Sequence, residues 1–287
     1  MAPTLAWNRY GKCRVRLVKV RRPTAGARDS DAPHDLIDLT IDVQLEGEFE
    51  PVYTRGDNKS CLPTDTMKNT VYAFARQDSF DDIETFATKL AGHFATKPGV
   101  TRALVRASQA PWNRIHVGGR PHPHAFVHAG GEAWTTTVTW NGDRLDVASG
   151  LTNLVVLKTR DSAFDGYPRD EYTTLPETRD RILATSITAV WTYRQGTTDF
   201  SARNRIRAAL VETFAAHESE SVQHTLYAMA EAALSAADEI VEITMSLPNR
   251  HHLLVDLTPF GLDNPNEIFV ATDQPHGLIE ATVRRSR

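Results

Sequence analysis

The stretch IDLTIDVQL, residues 37–45, sets Ile37, Leu39, Ile41, Val43 and Leu45 at alternate positions, with Asp38, Thr40, Asp42 and Gln44 between them. A period of two puts the five apolar side chains on one face of a strand and the polar ones on the other. Upstream, Cys13, Val15 and Leu17 alternate with Arg14 and Arg16 in the same way. The polar face of the first strand is basic and that of the second carries Asp38, Asp42 and Glu46, so charges can pair across an antiparallel hairpin. The run RPTAGARDSDAPHD, residues 22–35, has the Pro, Gly and Asp content of the connecting loop.

The period changes in LPTDTMKNTVY, residues 62–72. Met67, Val71 and Phe74 are spaced four and three, and Ile83, Phe86, Leu90 and Phe94 follow Ser79. Two amphipathic helices are expected, with Thr64 and Asp65 capping the first and Ser79 the second. VTRALVRASQAPWNRIHV (100–117) and HAFVHAGGEAWTTTVTW (124–140) return to the Val, Thr and Trp content of strands.

The same order is written again. LTNLVVLKT (151–159) and ATSITAVWTY (184–193) read as strands; Ile206, Leu210 and Phe214, then Leu226, Ala230 and Ala233, mark two helices. EIVEITMSL (239–247), HHLLVDL (251–257), EIFVAT (267–272) and GLIEATV (277–283) are strand-like again. Two β-β-α-α-β-β units of the α+β class are therefore expected, residues 1–141 and 142–287, with helices on one face of each antiparallel sheet. Open sheet edges on both units are a liability that oligomerisation removes, so several subunits are expected to join their sheets into a barrel.

Composition narrows the function. Thirty-two basic against thirty-six acidic residues give a net charge of -4, which offers no overall attraction to nucleic acid or an anionic membrane. Two cysteines, Cys13 and Cys61, neither form a disulfide framework nor complete a four-cysteine zinc site. With no signal-like N-terminal run, no apolar stretch of membrane-spanning length and no peroxisomal tripeptide in VRRSR, a soluble intracellular protein is expected.

No glycine-rich phosphate loop, HExxH, CxxC or GxSxG is present. His116, His122, His124 and His128, in RIHVGGRPHPHAFVH (114–128), could meet on a metal, but the Gly and Pro around them describe a hairpin tip or subunit contact. The polar run from 156 to 185 has two readings. Either it is a solvated connection in which Asp170, Glu171 and Arg181 form ion pairs, or an arginine beside an aromatic ring receives a flat anion. In SLPNRHHLLVDL (246–257), His251 and His252 start a strand after a bend and face opposite ways, so only one is expected in any one pocket.

Six stretches together, YGKCRVR (10–16), TDTMKNTVY (64–72), LVVLKTRDSAFDGYPRDEYTTLPETRDR (154–181), SVQHTLYAMAE (221–231), SLPNRHHLLVDL and NPNEIFVATDQPHGLIEATV (264–283), resemble the cofactor-free urate oxidase family. The resemblance runs in family order over nearly the whole chain. It implies the tunnelling fold, with two such units per chain in a homotetramer. It also implies oxidation of urate by O2 and water to 5-hydroxyisourate and hydrogen peroxide, with no cofactor and no metal. Carried over residue by residue, Phe164 is the stacking ring, and Arg181 and Gln223 grip opposite edges of the purine. Backbone N–H groups of Val222, and of Thr64 and Asp65 from a neighbouring subunit, take further edge atoms. Lys12, Thr64 and His251 correspond to the proton relay, with Thr64 giving its hydroxyl to Lys12 across a subunit boundary, and Asn249 stands above the ring. Arg160 and Arg250 depart from the family pattern, and within that family the missing peroxisomal tripeptide implies an enzyme of bacterial type in the cytoplasm. The rival expectations are a zinc-dependent purine or pterin hydrolase of the same fold, such as the GTP cyclohydrolases, using His116, His122 and His124, and a non-catalytic oligomeric purine-binding protein.

Overall fold

The structure is a computed structural model that describes residues 3–22 and 32–286; most of the loop expected at 22–35 lies outside the described residues. The chain divides into two compact units, Met1–Gly150 with Thr192–Ser201, and Leu151–Trp191 with Ala202–Arg287.

The first unit contains β1 (Tyr10–Arg21), β2 (Asp35–Gly47), a short α1 (Glu50–Arg55), α2 (Thr64–Gln77), α3 (Ile83–Ala95), β3 (Val100–Ala110), β4 (Trp112–Val117), β5 (Arg120–His128) and β6 (Ala133–Asn141). Strands β1, β2, β3 and β6 lie side by side in that order, each antiparallel to the next. Leu39, Ile41, Val43 and Leu45 are fully buried, as their alternation requires, and Met67, Val71, Phe86, Leu90 and Phe94 are buried on the helices that cover them. The expected charge pairing is present in part: Arg16 meets Asp38 at 2.7 Å, while Glu46 is met at 2.6 Å by Arg9, which precedes β1.

Strand β1 departs from simple alternation. Lys12 pairs with Val43 and Val15 with Ile41, so Cys13 and Arg14 together stand opposite Asp42 alone. This is a β-bulge, with Arg14 at φ 57° and its backbone N–H donating to Asp42 Oδ1 at 2.6 Å. The extra residue shifts the phase of everything before it. Cys13, expected inward, is exposed, while Tyr10 and Lys12 share the face of their partners Leu45 and Val43, the face that α2 covers. Gly11, between them, passes so close to β2 that a Cβ there would sit 2.0 Å from the Val43 carbonyl oxygen.

Two cap expectations are corrected. Pro63 is the N-cap of α2, leaving Thr64 and Asp65 as the first two residues of the helix itself. Asp65 then turns along the helix, accepting from Lys68 Nζ and, at 3.0 Å, from Asn69 Nδ2. Asp82, not Ser79, caps α3, its carboxylate accepting from the Thr85 N–H at 2.6 Å. A carboxylate next to the first turn both caps and favours the helix dipole, which a serine three residues further out cannot do. The first unit also adds a hairpin: the long strand-like run after residue 100 breaks at Pro111, and β4 and β5 form a separate two-stranded sheet.

In the second unit the order is β7 (Arg144–Lys158, entering from the first unit), β8 (Leu183–Tyr193), α4 (Arg203–Ala216), α5 (Val222–Ala236), β9 (Ile240–Leu254) and β10 (Phe269–Arg284). The strands neighbour one another in chain order. Ile187, Ala189, Trp191, Ile206, Leu210, Met229, Ala230 and Ala233 have no exposed surface. The four late strand-like segments merge into two: β9 runs unbroken through Pro248 and Asn249, and β10 absorbs its irregularity between Thr272 and Gly277.

Gly11→Ala is expected to lower unfolding free energy by about 2 kcal/mol, because the new methyl must push backbone rather than a side chain. Denaturant unfolding measures it; a midpoint equal to that of the parent protein would contradict this account of the bulge.

Candidate functional site

In the second unit, residues 161–181 leave the sheet as an irregular loop that backbone hydrogen bonds hold in place. The Phe164 N–H donates to the Thr178 carbonyl at 2.7 Å and the Thr178 N–H returns to the Phe164 carbonyl at 3.1 Å. The Arg181 N–H donates to the Ser162 carbonyl at 3.0 Å, and the Ala163 N–H to the Ser219 carbonyl at 2.6 Å. Ser162 and Ser219 are buried, so these bonds are shielded from water. They fix the two ends of the loop against each other and against the chain that leads into α5.

The result brings Phe164 and Arg181 together: the guanidinium carbon is 5.2 Å from the ring centroid. Behind this pair, Tyr167 stacks on Phe164 with centroids 4.8 Å apart and planes 18° apart, and its hydroxyl donates to the Leu175 carbonyl at 2.6 Å. Gly166, at φ 67°, makes the tight turn that lets residues 164 and 167 stack.

Arg181 does not pair with Asp170 or Glu171, which corrects the ion pairs expected in this run, although other pairs such as Arg160–Asp161 do form there. Asp170 instead accepts from its own turn, from the Tyr172 N–H at 3.0 Å and the Thr173 hydroxyl at 2.7 Å. The neighbouring Arg179 takes Asp165 at 2.9 Å. Arg181 Nε is buried with no hydrogen-bond partner, and burial lowers the guanidinium pKa from its ordinary value. The shift does not neutralise an arginine; it measures the cost of holding a fixed cation half out of water. An anionic ligand would offset that cost.

A cavity of about 150 Å³ opens beside the pair, lined by Phe164, Leu175, Thr178, Arg181, Asn249 and His251. His252, next to His251 in β9, also borders the cavity. Across from them, Thr272 pairs with His251 and Gly277 with Asn249, so the irregular turn of β10 lies beside Arg250. A larger cavity of about 360 Å³ shares Arg181, Ile182 and His252 with the first.

Val222 and Gln223 do not line the small cavity. They form the first turn of α5, where Ser221 caps the helix by accepting from the His224 N–H at 3.1 Å. Val222 is buried and Gln223 exposed. The backbone bridge between Ser162 and Ser219 ties this helix start to the Phe164 segment.

The remaining candidates belong to the first unit. Lys12 and Thr64 are half-buried and Asp65 is exposed. Asp65 is held below the usual carboxylate range first by its hydrogen bond and charge pairing with Lys68, and further by the positive charge of Lys12. Lys12 and the start of α2 are therefore within electrostatic reach in one chain. His116, His122, His124 and His128 lie on the β4–β5 hairpin, the His122 and His124 rings meeting edge to face at 4.5 Å. Among the described residues no three His, Cys, Asp or Glu side chains are grouped to hold a metal ion.

Sequence reasoning missed Tyr167 and Thr178. An aromatic pair flanking a glycine, as in FDGY, was the one local signal for Tyr167.

Comparison with known proteins finds relatives along both units. A family model described as Uricase matches residues 8–139 and 147–280. A uricase of Arthrobacter globiformis is 47% identical over 283 residues, covering 98% of this chain and 90% of that one. A uricase of Cyberlindnera jadinii is 36% identical over 303 residues, covering 99% and 98%. The crystal structure of the A. globiformis uricase superimposes with a TM-score of 0.92 at 46% identity, covering 100% of this chain and 97% of that one. With both halves matched at nearly full length, the chain belongs to the uricase family.

Proposed function

We propose that this protein is a urate oxidase: it converts urate, O2 and water into 5-hydroxyisourate and hydrogen peroxide in purine degradation, and its own residues need no metal, flavin or haem to do so. The observation that carries the reading is Arg181, a half-buried cation with an unpartnered Nε, set 5.2 Å from an aromatic ring at the wall of a small cavity. Urate is a flat anion that such a pair suits: the ring stacks and the guanidinium donates along one edge. Gln223 takes the opposite edge, and the N–H groups of Val222, Thr64 and Asp65, each in the first turn of a helix and so without an intrahelical acceptor, take further edge atoms.

Lys12, the Thr64 hydroxyl and His251 form the relay that removes a second proton from urate. Lys12 acts through Thr64 and water, and His251 extends the path. The dianion then gives one electron to O2, which avoids the spin barrier to direct combination with triplet oxygen. Urate radical and superoxide combine to a hydroperoxide at C5; this loses hydrogen peroxide, and water adds at C5. Asn249 holds O2 or water above the ring. The clamp positions the purine, and the relay drives the chemistry.

The Lys12–Asp65 interaction within one chain supports a composite site in which one subunit gives Lys12, Thr64 and Asp65 and another gives Phe164, Arg181, Val222, Gln223, Asn249 and His251. The subunit boundary then falls between these groups, not between Lys12 and Thr64. Exposed Val155, Leu157, Leu254, Val270 and Leu278 on the second unit's strands support a homotetramer that closes the sheets into a barrel. A duplication boundary at residues 141 and 142 fits the turn between β6 and β7, whereas the packed units divide inside β7, after Gly150. A cytoplasmic location fits the two unpaired cysteines; among the described residues no helix is long and apolar enough to cross a membrane.

Lys12→Ala and Thr64→Ala are each expected to cut kcat by about 100-fold or more, with the dissociation constant of a non-oxidised purine analogue changing far less. Steady-state kinetics and analogue titration measure both; undiminished turnover in the two variants would remove the relay.

Arg181→Ala should act on binding first. Losing charge-assisted hydrogen bonds of about 1.5–3 kcal/mol weakens the analogue roughly 10- to 100-fold, and an unchanged affinity would count against the clamp.

A further inference from the structure

Two residues before Lys12, on the same helix-covered face, β1 carries Tyr10. Its hydroxyl oxygen accepts a hydrogen bond from the backbone N–H of Leu62 at 2.9 Å. Its ring meets Phe49 edge to face, with centroids 4.9 Å apart, and Phe49 is fully buried. The ring therefore has a fixed seat, and the hydroxyl has a fixed place at its tip. Burial, then the neighbouring Cys61 sulfur, pushes the phenol pKa up to about 12, so the group is a neutral hydroxyl at neutral pH.

What the hydroxyl holds is the chain entering α2. Leu62 is followed by Pro63 and Thr64, and the proline ring fixes Pro63 at φ -57°. The Pro63 carbonyl is itself committed to the helix, accepting from the Met67 N–H at 3.2 Å. A short, stiff link thus joins the Leu62 amide to the Thr64 side chain, with little freedom between them. Because β1 carries both Tyr10 and Lys12, the same strand holds the lysine directly and the threonine by way of this anchor.

We propose that Tyr10 is a positioning residue of the proton relay, its hydroxyl setting the Thr64 hydroxyl against Lys12 through Leu62. The inference rests on the Lys12–Thr64 relay argued above. It differs from a packing role, since the Tyr10 ring and the Phe49 contact survive in Tyr10→Phe and only the anchor is lost. A relay depends on hydroxyl and amine meeting at hydrogen-bond distance, so a small displacement of Thr64 slows turnover while the purine, held mainly by the second unit's residues, still binds.

The test compares Tyr10→Phe with Tyr53→Phe, which deletes another hydroxyl-to-backbone bond, from Tyr53 to the Arg9 carbonyl at 3.1 Å, that does not lead to Thr64. Lys12→Ala and Thr64→Ala are measured beside them. Tyr10→Phe is expected to lower kcat about tenfold or more, while KM for urate and the dissociation constant of a non-oxidised purine analogue move less than about twofold; Tyr53→Phe should match the parent in all three. If Tyr10→Phe keeps the parent kcat while Lys12→Ala and Thr64→Ala lose it, the positioning role is wrong and the relay stands. If Lys12→Ala and Thr64→Ala also keep it, the relay itself is wrong. A Tyr10→Phe protein that loses kcat and analogue binding together, with a lowered unfolding midpoint, has lost structure rather than alignment, and that result overturns the inference as well.

Discussion

The arrangement depends on a half-buried cation, Arg181, whose Nε has no hydrogen-bond partner. Arginine cannot shed its proton at any pH the fold tolerates, so placing it half out of water is a standing cost. Acidic residues are close at hand in sequence, yet Asp165 is taken by Arg179 and Asp170 by its own turn. The backbone bonds among Ser162, Ala163, Phe164, Thr178, Arg181 and Ser219 keep the guanidinium over the Phe164 ring without help from any side-chain ion pair to Asp170 or Asp165. Preorganisation of this kind moves the cost of ordering from the binding step to the folding step.

The second constraint is a single inserted residue. Without the bulge at Cys13 and Arg14, strict alternation would turn Lys12 to the uncovered face of the first unit's sheet, away from α2. With it, Lys12 and Tyr10 face the helix whose first residues are Thr64 and Asp65. Gly11 allows the close strand approach on which that phase depends. One half of the proposed chemistry thus rests on strand register and the other on loop closure, in two separately packed units.

Most of the fold was legible because period and burial agree: Ile41, Val43, Met67, Val71, Phe86 and Leu90 sit where their spacing puts them. The errors share a cause. A bulge at a non-glycine residue leaves no mark in apolar alternation, so Cys13 was read as inward. Capping was assigned to the nearest hydroxyl, whereas Asp82 beside the first turn of α3 competes better than Ser79, and α2 starts after a proline that offers no side-chain acceptor. For the site, residue types alone described a flat-anion receptor only as one of two options, and the resemblance to urate oxidases chose the residues. Seventeen positions separate Phe164 from Arg181, and what brings them together is backbone hydrogen bonding that no side-chain pattern encodes.

The central claim is that this chain oxidises a bound urate by itself, with the substrate as the source of electrons. The most direct measurement is simultaneous oxygen consumption and loss of urate absorbance by purified protein treated with a chelator and dialysed. The account predicts one O2 consumed and one hydrogen peroxide formed per urate, at a rate unchanged by chelation or by added zinc. Urate that stays intact under these conditions, or is lost only once metal is restored, would contradict it.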